Sequence, residues 1–107
     1  MVITDAHAAD VVERLSRDLR SSGLPGYVRQ VQAEAATRRE YEYDNPSEYI
    51  ERVVEEVQNY ILDGLVTWPV CPQHPHHPLW YHDDGWFCDQ DRRFIARLGE
   101  LMSLQHN

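Results

Sequence analysis

Trp68-Pro-Val-Cys71-Pro-Gln-His74-Pro-His76-His77-Pro-Leu-Trp-Tyr-His82-Asp-Asp-Gly-Trp-Phe-Cys88-Asp-Gln-Asp91 is the stretch on which the fold of this chain turns. It holds both cysteines, all three tryptophans and the histidines His74, His76, His77 and His82. Cys71-Pro72-Gln73-His74 has the Cys-x-x-His spacing of a zinc knuckle, in which a tight turn directs two ligands toward one ion. Leu79 to His82, Asp83-Asp84-Gly85 and Trp86 to Cys88 then read as strand, glycine-containing turn and strand. Such a hairpin carries Cys88 back beside the knuckle.

A tetrahedral set of Cys71, His74, His77 and Cys88 fits the chemistry of a structural Zn2+ site. Two thiolates neutralise the cation, two neutral imidazoles complete four-coordination, and no position is left for a substrate. Asp91 competes for the fourth place, because Cys88-Asp89-Gln90-Asp91 repeats the knuckle spacing. His76, adjacent to His77, is a further substitute, and His82 or water complete the alternatives. The cysteines are read as metal ligands rather than as a disulfide, because the expected compartment is a reducing cytoplasm. Trp68, Trp80 and Trp86 are expected to pack as core around the site, and Asp83 and Asp84 to serve the turn. His7 and His106 read as ordinary surface residues.

Working outward, Asn45-Pro46-Ser47-Glu48 is a strong helix start: Asn45 caps, Pro46 occupies the first helical position, and Glu48 is placed for a return bond. A helix over 46–63 follows, with Tyr49, Ile50, Val53, Val54, Val57, Tyr60 and Ile61 as its apolar stripe and Gly64 as its stop. Glu51, Glu55, Gln58, Asn59 and Asp63 lie off that stripe and are expected to face solvent. An earlier amphipathic helix over 5–21 places Ala8, Val11, Val12, Leu15 and Leu19 together, with Thr4 or Asp5 available as cap, Gly23 and Pro25 as stop signals, and Asp10, Arg14, Arg17 and Asp18 on a solvated face. The segment between them is ambiguous. Val31, Ala33 and Ala35 alternate as in a strand, yet Val28, Val31 and Ala35 also share a helical face; two short strands, 27–33 and 38–43, are the expectation. Beyond the stretch, Phe94, Ile95, Leu98, Leu101 and Met102 recur at helical spacing and predict a C-terminal helix over 92–103.

The 107 residues carry eighteen acidic and ten basic side chains, a formal net charge of -8. The excess is concentrated in the 46–66 segment, where Glu48, Glu51, Glu55, Glu56 and Asp63 face Arg52 alone. Counterion release from phosphates needs clustered cations, so a general nucleic-acid binder is disfavoured and another protein is the expected partner. The first residues show neither a basic nor an apolar leader segment, and no apolar run approaches the roughly 18 residues that span a bilayer, so no membrane role is expected.

The string Trp68-Pro69-x-Cys71-Pro72-x-His74, then His77-Pro78-Leu79, then Trp86-x-Cys88, after a helix containing Glu56-Val57-Gln58, resembles small uncharacterised proteins encoded by actinobacteria and their phages. The resemblance spans roughly Tyr49 to Leu101 and implies a zinc motif without implying an activity. Many of those sequences continue with Cys-Pro where this one has Cys88-Asp89.

Together these readings predict an α+β protein: one small domain over 1–107 with two to three helices, short strands and a zinc-ribbon-like hairpin module over 68–91. Its expected role is non-enzymatic, with structural zinc and an acidic surface for a protein partner. Two alternatives are a nucleic-acid-associated zinc ribbon using Arg92, Arg93 and Arg97, and a zinc hydrolase. The hydrolase would have an open Cys71, His74, His77 site with Asp83, Asp84 or Asp91 as base. The His-Glu-x-x-His motif and the deaminase pattern of His-x-Glu with Pro-Cys-x-x-Cys are both absent.

Overall fold

Thr4 starts the first helix with a reciprocal cap: its hydroxyl accepts from the His7 amide at 3.2 Å, while His7 Nδ1 accepts from the Thr4 amide at 3.1 Å. The structure, a computed structural model, describes residues 1–101. Helix α1 (Asp5–Ser21) buries Val11, Leu15 and Leu19 along one stripe. It ends as the sequence predicts, with Gly23 at a φ of +77° and the Leu24 amide returning to the Leu19 carbonyl at 2.8 Å. One expectation on this helix fails. Asp18 is fully buried rather than solvated, because strands from the other end of the chain cover that side of α1.

After a single 3-10 turn (Pro25–Tyr27), helix α2 (Val28–Arg38) occupies the segment expected as two strands. The alternation there was carried by alanine, which is a strong helix former and a poor strand residue. In the helix Val31 and Ala35 fall one turn apart and are both buried. Tyr49 fixes the neighbouring helix against them by donating its hydroxyl to the Ala35 carbonyl at 2.7 Å. The 38–43 strand is also absent; Tyr43 instead packs edge-on against Tyr49 with ring centroids 5.6 Å apart.

Helix α3 (Pro46–Asp63) forms with the expected bounds: Asn45 Oδ1 accepts from the Glu48 amide at 3.1 Å, and the Glu48 carboxylate accepts from the Asp44 amide at 3.0 Å. Tyr49, Val53, Val54, Val57 and Ile61 are fully buried on its inner stripe. Tyr60 departs from the expectation: it is half exposed and lies edge-on to Tyr27. Gln58 departs in the opposite sense, being buried among the apolar residues.

The chain then builds a three-stranded antiparallel sheet in the order β1 (Trp80–His82), β2 (Gly85–Cys88), β3 (Arg93–Arg97). The hairpin predicted from the sequence is present. Asp83 and Asp84 take φ values of +48° and +66°, the mirror-image turn that matches the twist of a two-residue hairpin. The predicted C-terminal helix over 92–103 is replaced over its described part by β3 and a turn at Gly99 (φ +92°); Met102 and Ser103 lie outside the described residues. Pairing satisfies the backbone groups that the hairpin leaves open along β2, a gain the local apolar spacing of 94–101 cannot express.

The sheet has two distinct faces. Tyr81, Trp86 and Ala96 point to the helices, and Trp86 is fully buried. Trp80, His82, Phe87 and Phe94 share the outer face, so Trp80 is not core as expected but 38 % exposed. Asp84 links this sheet to α1 through Arg14 at 2.8 Å and holds Arg97 at 3.2 Å. Although burial opposes ionisation, these two guanidiniums keep the Asp84 carboxyl below the ordinary range. Among the described residues no helix is long and apolar enough to cross a membrane.

Gly85 is required by packing. A methyl group there would collide with the Phe94 ring and come within 2.9 Å of the Ala96 carbonyl oxygen on the paired strand. Gly85→Ala is therefore expected to cost about 2 kcal/mol, roughly 10 °C in melting temperature, by prying β3 from β2. A thermal melt followed by circular dichroism checks this.

Candidate metal centre

Two tight turns face each other at one end of the sheet. The first lies in a loop closed at its base: the Leu79 amide donates to the Pro69 carbonyl at 2.7 Å, and the Cys71 amide donates to the His77 carbonyl at 3.2 Å. Inside that base the His74 amide returns to the Cys71 carbonyl at 3.3 Å and the His77 amide to the His74 carbonyl at 2.9 Å. The prolines of this segment suit such consecutive turns because their fixed φ removes conformational freedom. The second turn is the β2–β3 connection, which starts after Cys88 and contains Asp91.

Gln58 anchors the loop to the helices. Its Nε2 donates to the Trp68 carbonyl at 3.1 Å and to the Leu79 carbonyl at 2.6 Å, so one buried amide holds both ends of the loop. Gln58→Leu leaves two buried carbonyls without their donor and is expected to destabilise the protein by about 2 to 3 kcal/mol. A urea titration measures the loss. The sequence offers one hint of this role, a polar residue beside the apolar stripe of a helix, but no local pattern shows which carbonyls lie above it.

At the mouth of the loop Cys71 and Cys88 are both buried and unbridged, with their sulfurs 3.5 Å apart. His74 Nε2 lies 3.2 Å from Asp91 Oδ2. The ligand atoms of His74, Cys88 and Asp91 all fall within 4.8 Å of one another, a group that could hold a metal ion. Burial is graded across the cluster: the cysteines are inside, whereas His74 and Asp91 keep side-chain exposures of 32 % and 36 %. Trp68 and Trp86 stack edge-on at 5.3 Å, both buried, the packing expected of two of the three tryptophans.

Of the four residues chosen from spacing, Cys88 stands beside both Cys71 and His74, while Cys71 lies outside the group of mutually close donors. His77 is exposed, its ring centroid 6.3 Å from that of His74, and its backbone closes the loop from both sides. His76 is exposed as well, and His82 lies on the outer sheet face against Phe87 and beside Asp83. Asp91, weighed as a competitor for the fourth place, is the carboxylate beside His74.

Two hollows mark the surface, the first of them bordering the loop at Trp68, Pro69, Val70 and Pro72. One, of about 450 Å³, is lined largely by apolar groups, among them Leu24, Val66, Trp68 and Leu101. The other, of about 310 Å³, is lined by Glu42, Tyr43, Glu48, Glu51, Arg52 and Glu55. Burial and the adjacent Glu51 raise the Glu55 carboxyl above its ordinary value. Neither hollow is lined by Cys71, His74, Cys88 or Asp91. No family model, no curated protein and no solved structure matches this chain.

Proposed function

We propose that the chain is a non-enzymatic protein whose Trp68 to Asp91 segment is built on one structural zinc ion, and which works in the cytoplasm by binding another protein. The observation that carries the reading is the pair of buried thiols 3.5 Å apart. A disulfide requires about 2.05 Å between sulfurs. Two thiolates on one tetrahedral zinc, each at about 2.3 Å, stand about 3.8 Å apart. The pair is close enough to share an ion with little movement, and two sulfurs with an imidazole near Cys88 favour zinc over magnesium or calcium.

A structural role is supported by the placement of the cluster between two turns; the apolar hollow reaches the loop at Trp68, Pro69, Val70 and Pro72, but Cys71 itself is buried and does not line it. The partner reading is supported by the acidic hollow at the start of α3, where Glu42, Glu48, Glu51 and Glu55 gather and a basic side chain of a partner would find complementary charge. Atomic spectroscopy of the purified protein should find zinc near one equivalent, and Cys88→Ser should lose it. Absence of zinc, or a Cys88→Ser protein that folds like wild type, contradicts the proposal.

A second reading, association with single-stranded nucleic acid, draws on the outer sheet face. Trp80, Phe87 and Phe94 are cross-strand neighbours there, and the adjoining Arg92 and Arg93 are exposed and make no ion pair among the described residues. A salt-dependent gel shift that disappears on Arg92 and Arg93 substitution supports this reading; no shift at low salt removes it.

A further inference from the structure

We infer that the fourth ligand of the zinc site is Asp91, so that the ion is held by Cys71, His74, Cys88 and Asp91, with His77 outside the coordination sphere. This deepens the reading of the segment as a zinc site and rests on it. The first support is geometric. Nitrogen and oxygen donors lie at about 2.0 to 2.2 Å from zinc, so an imidazole and a carboxylate on the same tetrahedral ion stand about 3.4 Å apart. His74 Nε2 and Asp91 Oδ2 are separated by 3.2 Å, while Cys71 and Cys88 supply the opposite edge at 3.5 Å.

The second support is topological. Each turn contributes a cysteine and, three residues later, a second donor: Cys71 with His74, and Cys88 with Asp91. The two pairs come from segments that start on opposite sides of the hairpin, so their donors converge on one point from two directions. His77 belongs to the same turn sequence as His74 and is committed through its backbone, with its carbonyl accepting from Cys71 and its amide donating to His74. Among the described residues the group of mutually close donors is His74, Cys88 and Asp91; it omits His77 and also Cys71, which reaches the cluster through its 3.5 Å contact with Cys88.

Charge and exposure agree. Two thiolates and one carboxylate around a divalent ion leave one negative charge, and the cations Arg92 and Arg93 follow Asp91 directly, with Arg93 opposite Cys88 in the sheet register. The sulfurs occupy the dry side of the site, whereas His74 and Asp91 form its half-exposed rim. The carboxylate therefore coordinates where water can still reach its second oxygen, which limits the desolvation cost of a charged ligand.

One competing arrangement has Asp91 acting only through His74, as the hydrogen-bond partner of a ligating imidazole. Loss of Asp91 would weaken binding in either arrangement, so affinity alone does not decide. Cobalt(II) titration of the full chain does, because the sulfur-to-cobalt charge-transfer intensity counts thiolates. His77→Ala is expected to bind cobalt with affinity within about threefold of wild type and an unchanged tetrahedral spectrum. Asp91→Cys is expected to raise the charge-transfer intensity by about half, from two thiolates to three, and Asp91→Ala to weaken binding about tenfold or more. The assignment is overturned if His77→Ala abolishes the tetrahedral spectrum or if Asp91→Cys leaves the charge-transfer intensity at the wild-type level. Wild type without any thiolate charge-transfer band would instead overturn the zinc reading itself, and the assignment with it.

Discussion

Asp18→Ala is expected to cost the protein about 4 kcal/mol, a large fraction of its stability. The carboxylate is fully buried and accepts three hydrogen bonds: from Trp86 Nε1 at 2.9 Å, from the Gly99 amide at 2.8 Å and from the Leu101 amide at 3.0 Å. It is the joint between α1 and the chain that follows β3. Alanine leaves three buried donors unpaired at about 1 to 3 kcal/mol each, a combined loss on the order of 4 kcal/mol. Domains of this size have roughly 5 to 15 kcal/mol in total. Asp18→Asn keeps one oxygen for Trp86 and Gly99 but turns an amide group toward the Leu101 N–H, so its loss should be about half as large. Guanidinium melts of the three proteins should rank wild type above Asn above Ala; equal midpoints would show that the joint contributes nothing.

The same residue gives a pH signature. Burial raises the Asp18 carboxyl above its ordinary value, with the bonds from Trp86, Gly99 and Leu101 and the charge of Arg17 only partly offsetting it. A carboxyl whose folded value lies above its unfolded value of about 3.9 contributes stability that is fully present below that pH and is lost as pH rises through the folded value. Asp18→Asn should remove this component, visible as a flatter dependence of melting temperature on pH from about 4 upward.

On the proposal that the segment holds a structural zinc ion, its withdrawal by a chelator is expected to lower the melting temperature by roughly 16 to 32 °C. An ion held at about a thousand times its dissociation constant stabilises the native state by about 4 kcal/mol, and each kcal/mol moves the midpoint of a small domain by roughly 4 to 8 °C. The loss should be local before it is global. α1, α2 and α3 have their own apolar contacts, built on Val11, Leu15, Val31, Val53, Val57 and Ile61. The loop from Trp68 to Leu79 reaches that core through Trp68, Cys71 and Leu79, and is otherwise held by Gln58, its own turns and the cluster. Far-ultraviolet dichroism at 25 °C should therefore change little, while the near-ultraviolet signal of the Trp68 and Trp86 pair should weaken. One equivalent of zinc should restore both the signal and the midpoint; a midpoint indifferent to chelator would count against a structural ion.

The parts of this molecule that could be read from residue order are those specified within a few positions of themselves. Thr4 and Asn45 cap their helices, Gly23 ends α1, and Asp83-Asp84 turns the hairpin, because caps and tight turns are local hydrogen-bond problems with local solutions. The two cysteines also approach each other, and His74 stands near Cys88, because a Cys-x-x-His turn and a hairpin return largely determine where these side chains can go.

Residue order by itself thus determined α1, α3, the β1–β2 hairpin and the approach of the two cysteines. Tertiary structure alone decided the rest. The segment after Asp91 became a strand because β2 offered an unpaired edge, and α2 formed where alanine propensity and the groove beside Tyr49 agreed against a short alternation. Asp18 and Gln58 were read as solvent-facing because each lies off its own helix's apolar stripe. Their partners, Trp86, Gly99 and Leu101 for one and Trp68 and Leu79 for the other, become neighbours only after the chain has folded. Asp91 rather than His77 stands beside His74 for the same reason: spacing along a chain constrains which residues share a turn, whereas which donors stand close together is decided by how two turns meet in space.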